Sequence, residues 1–332
     1  MTKTMKQVQL SQFGSPDELQ LVEASIPSPK PGEVLIQVEA IGVNYSDTLR
    51  RRNLYFQATP LPYVLGSEAV GKIVSVGEGV TEPYLVGARV LAILPYGGGY
   101  GEYVTAIAQY CVPLPPNIDS KTATAIFVQG STAQLMVSQL AKDLKNKTVL
   151  VNASAGGVGS LLVQLSKLNG AKVFAASSSE EKLQVALANG ADAAVNYSNP
   201  NWSEKVKAAN GGKGVDIAFE TVGGDVYNET VKSLAQGGHL IVYGCASGVQ
   251  VTIHPEYFVD ESLRQSGFNL AFHITTMPQV WQEALGIVIG LIAQGKLKIA
   301  TPKTFALKDA AEAHRQIEAR QTTGKVVLTV NH

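Results

Sequence analysis

Cysteine is almost missing from this 332-residue chain, which carries only Cys111 and Cys245. Two thiols exclude a disulfide scaffold and a cysteine-built zinc lobe, and leave at most one pair open. The simpler expectation is two reduced, buried thiols. Net charge is missing too: Lys and Arg total 27, as do Asp and Glu. No global field therefore attracts nucleic acid or an acidic membrane. The longest apolar stretch, GIVIGLIA at 286–293, is far short of the roughly 20 residues that span a bilayer. The start, MTKTMKQVQL, lacks the apolar core of a signal peptide, so the expected location is cytoplasmic. The five histidines, at 239, 254, 273, 314 and 332, show no paired ligand spacing, and most read as surface or capping residues. No internal repeat or low-complexity segment occurs.

What is present describes a soluble globular chain, with 45% hydrophobic residues, 16% charged residues and 32 glycines. A chain of this length favours two lobes over one core. The first 120 residues are strand-like, with VLIQVEAIGV (34–43), AVGKIVSVG (69–77), ARVLAIL (88–94) and EYVTAIA (102–108) separated by Gly- and Pro-bearing turns. That spacing predicts a small, rolled-up β domain. After the proline-rich CVPLPPNID (111–119) the composition turns Ala-rich and helical, which sets the expected boundary near residue 120. From there strand and helix patterns alternate: TVLVNAS (148–154), KVFAASS (172–178), AAVNY (193–197), VDIAFET (215–221), HLIVYG (239–244) and FNLAFH (268–273). Alternation of this kind predicts an α/β fold with a doubly wound parallel sheet over 121–295. The tail is read as a strand and helix in KTFALKDAAEAHRQIEAR and a last strand in KVVLTV, so that about 296–332 completes the first lobe.

The strongest chemical signal is VLVNASAGGVGSLLVQLSKLNG at 149–170. An apolar strand runs into a glycine-rich turn, and Val158, Leu161, Leu162, Leu165 and Leu168 then recur at helical spacing. Glycines let a backbone approach a pyrophosphate, whose charge suits the positive end of the helix. Dinucleotide binding follows from this strand-loop-helix context. The loop runs Ala153, Gly156, Gly157, Val158, Gly159, so alanine stands where the usual pattern has its first glycine. About 20 residues on, where NAD-binding sheets place a carboxylate, the chain has Ser177, Ser178 and Ser179, followed by Lys182. Hydroxyls and an ammonium suit a 2′-phosphate, so the expected cofactor is NADPH. Tyr197 at the end of the next strand either adds a phenolic hydrogen bond to that phosphate or is an ordinary edge aromatic. Glu180 and Glu181 belong in the solvated first turn of the following helix.

A second signal is VLGSEAVG at 64–71, where Glu68 sits inside an apolar run. A buried carboxylate needs partners. With Gly71, Gly77 and Val80, the stretch is similar to the G-H-E motif of medium-chain dehydrogenases/reductases. The loop from Asn146 and Lys147 through Ser154, Gly156, Gly157 and Gly159 to Gln164 and Lys167 resembles that of their zinc-independent quinone oxidoreductases, the zeta-crystallin-like group. The resemblance covers essentially the whole chain and implies a Rossmann domain beside a GroES-like β-barrel catalytic domain, with homodimerisation, the FNLAFH edge being a candidate surface for it.

The departures from the zinc-dependent members are informative. Ser67 stands where they have a histidine ligand, and Asn44 lies in GVNYSD (42–47), the segment where they have a cysteine. Serine and asparagine are poor partners for zinc, so no metal is expected. Quinones and α,β-unsaturated carbonyls delocalise incoming charge, and one or two neutral donors suffice to stabilise it. The resemblance therefore implies hydride transfer from NADPH to a quinone or enone. The alternatives are an enoyl-thioester reductase and a nucleotide-binding protein with a structural or regulatory task. Asn44 and Tyr55 become the candidate catalytic residues: Asn44 either donates to substrate, orients the nicotinamide or satisfies loop backbone, and Tyr55 either donates, stacks on a planar substrate or packs the lobe. By the same correspondence Thr132, Thr221, Val222, Tyr243, Gly244 and Lys325 approach the cofactor, as does His273, where some relatives carry arginine. The run Arg50-Arg51-Arg52 reads as a solvated face or, beside the substrate wall, as a handle for an anionic group such as a CoA phosphate.

Overall fold

The computed structural model describes residues 3–331, so His332 lies outside the described residues. The chain divides into two units, one made of residues up to Val128 together with Ile299 onward, the other of Gln129–Lys298. The first division falls eight residues beyond the expected position. The reason is local: Arg89 donates to the Ile118 carbonyl and the Ser120 hydroxyl, and the Val128 amide donates to Glu68. These bonds tie the start of the Ala-rich stretch to the first unit.

The first unit is a β domain. Its larger sheet runs in the order Lys303–Ala306, Val326–Thr329, Glu33–Val43, Glu68–Val76, Arg89–Ile93 and Cys111–Pro113, with Tyr103–Ile107 also pairing to Glu33–Val43. A smaller antiparallel sheet joins Leu19–Ser25, Thr4–Leu10 and Tyr63–Val64. Val34, Ile36 and Val38 alternate inward along the long strand, Ile41 joins them after a register shift between Val38 and Ala40, and all four meet Val8, Leu10, Leu65 and Ile73 in one core. Burial of each such side chain contributes about 1.5–3 kcal/mol. The C-terminal strand adds to this sheet by pairing Val326 with Val43, antiparallel, which carries Lys325 to the level of Asn44.

The second unit is the doubly wound sheet. Its strands lie in the order Ala193–Asn196, Lys172–Ser177, Thr148–Asn152, Val215–Glu220, Leu234–Val242, Arg264–Gly267, all parallel. In chain order this is 3-2-1-4-5-6, the Rossmann arrangement, with ligand binding beyond the carboxyl ends of the strands. One expected strand is a helix instead: FNLAFH falls on Leu270–Thr276, whose N-cap Asn269 accepts a hydrogen bond from the Phe272 amide. Capping outweighs the β preference of the two phenylalanines. The sheet edge is the polar RQSG just before it. The Ala-rich stretch is helical but broken into alternating α and π turns between Ser120 and Ala141.

Candidate active site

In the second unit, the strand Thr148–Asn152 enters the turn through Ala153 in the left-handed region, φ 48°. The helix Gly157–Leu168 begins with Gly156 at its N-cap, and no side chain caps it. A Cβ on Gly159 would lie 2.3 Å from the Ala153 carbonyl, and one on Gly157 would lie 1.9 Å from Gln129 Nε2. Glycine is thus required at Gly159, where the neighbour is backbone, whereas at Gly157 the neighbour is the end of a flexible side chain. At Gly156 a Cβ would meet only the Ala153 carbonyl, at 3.1 Å. The uncapped helix start and its bare glycine form a cradle that fits a pyrophosphate.

The three serines after the next strand separate. Ser177 is buried, with its hydroxyl 2.9 Å from that of Ser154, so it braces the loop from behind and is not open to a phosphate. Ser179 caps the following helix, accepting from the Lys182 amide at 3.5 Å. Ser178 accepts from Lys182 Nζ at 3.3 Å. The Tyr197 amide donates to the Ser177 carbonyl at 3.0 Å, which brings the tyrosine to the same strand end. Glu180 and Glu181 are exposed in the first helical turn, as expected.

Two more strand ends are joined. The Ala246 and Ser247 amides donate to the carbonyls of Thr221 and Val222, both at 2.8 Å. A Cβ on Gly244 would lie 2.3 Å from Thr221 Oγ1, so these loops approach as closely as glycine permits. Glu220, fully buried behind them, accepts from the Val222 and Gly223 amides at 2.7 and 3.1 Å. Burial pushes its carboxyl up, and pushes the Tyr243 phenol well above its ordinary range. Thr132 is buried in the helix Thr132–Leu135. His273 is buried too, stacked on Phe268 at 4.7 Å, with Nδ1 donating to the Asn269 carbonyl at 2.9 Å.

In the first unit, Asn44 precedes the helix Tyr45–Arg51. Its amide donates to Asp47 Oδ2 at 2.8 Å, its Nδ2 donates to Glu68 Oε1 at 2.9 Å, and its Oδ1 accepts from Lys325 Nζ at 2.8 Å. Lys325 also pairs with Glu68, and both side chains are wholly buried. The strands explain the meeting: Ile41 pairs with Ala69, so Glu68 faces Gly42, and a Cβ on Gly42 would lie 2.1 Å from Glu68 Oε1. Sequence reading found Asn44, Glu68 and Lys325 separately and assigned Lys325 to the cofactor alone. Two opposite charges in apolar strands of one sheet were the available signal.

Behind Asn44 lies a second buried row. Asp47 Oδ2 is 3.4 Å from Tyr100 Oη, which is 3.0 Å from His314 Nε2, and His314 Nδ1 is 3.3 Å from Arg51 Nε. Burial raises Asp47 to about 6 and lowers His314 to about 3. Asp47, Tyr100 and His314 were not anticipated as part of a site, and Arg51 was offered only as part of an anionic handle or a solvated face. The histidines are not mainly surface residues: His239, His273 and His314 are buried, and His254 is exposed. Cys245 corrects the opposite way, being exposed while Cys111 is buried.

The three arginines do not act as one solvated run. Arg51 is buried, pairing with Glu318 at 2.6 Å and donating to the Gly14 carbonyl. Arg50 lies 4.1 Å over the Tyr55 ring and donates to Gln57 at 3.1 Å, which holds Tyr55 in a half-buried position. Only Arg52 is substantially exposed, 3.7 Å from Glu318. Among the described residues no group of three or more His, Cys, Asp or Glu side chains is placed to hold a metal ion.

Comparison with known proteins agrees with both units. Residues 30–116 match the alcohol dehydrogenase GroES-like domain family, and 157–288 match the family described as zinc-binding dehydrogenase. A probable quinone oxidoreductase of Schizosaccharomyces pombe is 34% identical over 331 residues, covering 98% of this chain and 97% of its own. A 2-haloacrylate reductase of a Burkholderia species is 33% identical, covering 95% and 96%. The crystal structure of Escherichia coli quinone oxidoreductase complexed with NADPH superposes with a TM-score of 0.90 at 30% identity, covering 98% of this chain and 99% of that one.

Proposed function

Because the chain belongs to the quinone oxidoreductase family of medium-chain dehydrogenases/reductases, we propose that it uses NADPH to reduce quinones or α,β-unsaturated carbonyl compounds, without a metal. The observation that carries this reading is the strand end after the glycine loop, where Ser178 and Lys182 stand 3.3 Å apart in place of a ribose-binding carboxylate. An ammonium and a hydroxyl there suit a 2′-phosphate. The cradle at Gly156 takes the pyrophosphate, Tyr197 completes the phosphate corner, and Thr132, Thr221, Val222, Tyr243, Gly244 and His273 line the rest. Bound NADPH supplies a hydride. Asn44 supplies an amide N–H for the charge that develops on the substrate oxygen, and Tyr55 an aromatic face or a phenol for a planar substrate.

The metal-free part of the proposal is supported by donor chemistry: Ser67 stands in place of an imidazole and Asn44 in the segment of a thiolate, and Asn44 is already bonded to Glu68 and Lys325. A homodimer belongs to the same reading, and the correction to FNLAFH moves its candidate edge to Arg264–Gly267, the outermost strand of the second unit's sheet. A cytoplasmic setting is supported by two free cysteines. The enoyl-thioester alternative keeps only Arg52 of its proposed anionic handle, since Arg50 and Arg51 are engaged internally.

The test is oxidation of NADPH against a panel of quinones, enones and enoyl-CoA esters, with and without chelator. Turnover of quinones or enones that a chelator leaves unchanged is expected. NADPH binding with no turnover of any substrate overturns the enzymatic reading, and loss of turnover in chelator overturns its metal-free part.

A further inference from the structure

We infer that Glu68 and Lys325 are positioning residues that fix the carboxamide of Asn44 in its donating orientation. The inference rests on the reading of Asn44 as donor to the substrate oxygen. An asparagine side chain has two flips of nearly equal shape, and they exchange a donor for an acceptor. Here the chemistry of the partners decides between them. A carboxylate only accepts and an ammonium only donates, so Nδ2 must face Glu68, at 2.9 Å, and Oδ1 must face Lys325, at 2.8 Å. The reverse flip sets oxygen against carboxylate and nitrogen against ammonium in a site closed to water.

The two anchors are themselves fixed. Lys325 and Glu68 are paired with each other, and the Val128 amide holds the second Glu68 oxygen at 3.2 Å. The Asn44 backbone is gripped separately by Asp47, so the residue has neither a free main chain nor a free side chain. Only one of the two Nδ2 hydrogens goes to Glu68. The other is held in a direction set by the amide plane, as a preorganised donor requires. An ammonium on Oδ1 also draws electron density from the amide nitrogen and strengthens that donor through the connected bonds. A buried ion pair contributes little to stability beyond what apolar residues of similar volume supply. Its retention in an otherwise apolar strand environment is accounted for by the orientation it imposes.

The experiment compares Asn44→Ala, the paired variant Glu68→Leu/Lys325→Met, and all three substitutions together, using a benzoquinone as substrate. The paired variant removes both charges at once and leaves neither stranded. Asn44→Ala is expected to lower kcat about 100-fold. The paired variant should fall to within about threefold of it, and the triple variant should fall no further than that margin. Full kcat in the paired variant alongside a loss in Asn44→Ala overturns the positioning role alone, as do losses that multiply in the triple variant. Full kcat in Asn44→Ala overturns both the donor reading and the inference built on it. A measurement on the unsubstituted protein covers the case of a variant that does not fold. In amide proton spectra of the ¹⁵N-labelled chain, one of the two Asn44 side-chain protons should be protected from exchange, and rapid exchange of both overturns the proposal.

Discussion

Arg51 Nε lies 3.3 Å from His314 Nδ1, and because a guanidinium can only donate, this contact fixes the histidine tautomer. Nδ1 is the acceptor, so Nε2 carries the proton and donates to Tyr100 Oη at 3.0 Å. The single phenol proton is then left for Asp47 Oδ2, at 3.4 Å. Hydrogen bonds of one polarity thus run from Arg51 to the carboxylate that holds the Asn44 amide.

This row sets an acid dependence. His314 is held neutral down to about 3, against an ordinary value of 6.5, chiefly by burial and then by Arg51. Between those values the unfolded chain binds a proton that the folded chain refuses, so its contribution to stability falls as pH falls from 6.5. Asp47 acts with opposite sign: burial raises it from 3.8 to about 6, so its contribution is lost as pH rises through that window. The two slopes oppose each other between about 4 and 6. His314→Gln, which keeps a donor and an acceptor but no titration, should be less stable than the parent at pH 7.5. Its deficit should shrink below pH 6.5 by up to ~1.4 kcal/mol per pH unit. Urea unfolding at several pH values measures this; a deficit independent of pH would show that His314 does not titrate as described.

The cofactor preference rests on one cation. Removing a charge-assisted bond costs about 1.5–3 kcal/mol, so Lys182→Ala should weaken NADPH binding by roughly 10- to 100-fold. NADH, lacking the 2′-phosphate, should be nearly unaffected. Fluorescence titration with both nucleotides checks the difference. An equal loss for the two would place Lys182 away from the phosphate.

The sequence was most readable where a local rule acts alone. Strand-helix alternation placed the parallel sheet, and the spacing of Gly156 and Gly159 placed the loop; at Gly159 close backbone approach admits only glycine. FNLAFH misled because its aromatic content favours a strand, whereas Asn269 offers a cap to the helix that forms. Ser177 was grouped with Ser178 and Ser179 toward a phosphate, yet its hydroxyl is buried against that of Ser154, because burial is not written in residue type. Contacts made across the sheet were hardest to see. Lys325 and Asn44 are 281 residues apart, and only the pairing of Val326 with Val43 brings them together. Arg51 and Glu318 are similarly distant, so a run of three arginines gave no hint that its middle member is interior.

Within the glycine loop, binding and stability should separate by position. Gly159→Ala drives a Cβ to 2.3 Å from the Ala153 carbonyl, a backbone atom that cannot swing away, so the strand-to-helix packing must shift. A loss of about 1–3 kcal/mol and weaker nucleotide binding are expected together. Gly156→Ala meets only one atom, at 3.1 Å, at a backbone φ of −76° that alanine adopts freely. Its melting temperature should stay close to the parent's while NADPH affinity falls, because the methyl group fills the cradle. Thermal melts with and without NADPH distinguish the two; equal melting temperatures for both variants would count against the packing role of Gly159.

The arginine run should also divide by position. Arg51 is wholly buried among the Gly14 carbonyl, His314 and Glu318, so Arg51→Met leaves the half-buried Glu318 only the more distant Arg52 and leaves His314 Nδ1 without its donor. Breaking a buried pair from one side costs about 3–5 kcal/mol. Arg52 is well exposed and 3.7 Å from the same carboxylate, so Arg52→Ala should change stability by less than about 0.5 kcal/mol. Arg50 falls between them. Arg50→Met keeps the apolar stem but removes the cation from the Tyr55 ring and the donor from Gln57, which frees the Tyr55 segment without unfolding the domain. KM for a planar quinone should therefore rise several-fold in Arg50→Met with kcat little changed, and the melting temperature should remain near the parent's. Steady-state kinetics and melts of the three variants read these outcomes side by side. Equal destabilisation by Arg51→Met and Arg52→Ala would contradict the separation, because a solvated run has no reason to be sensitive at its middle member alone.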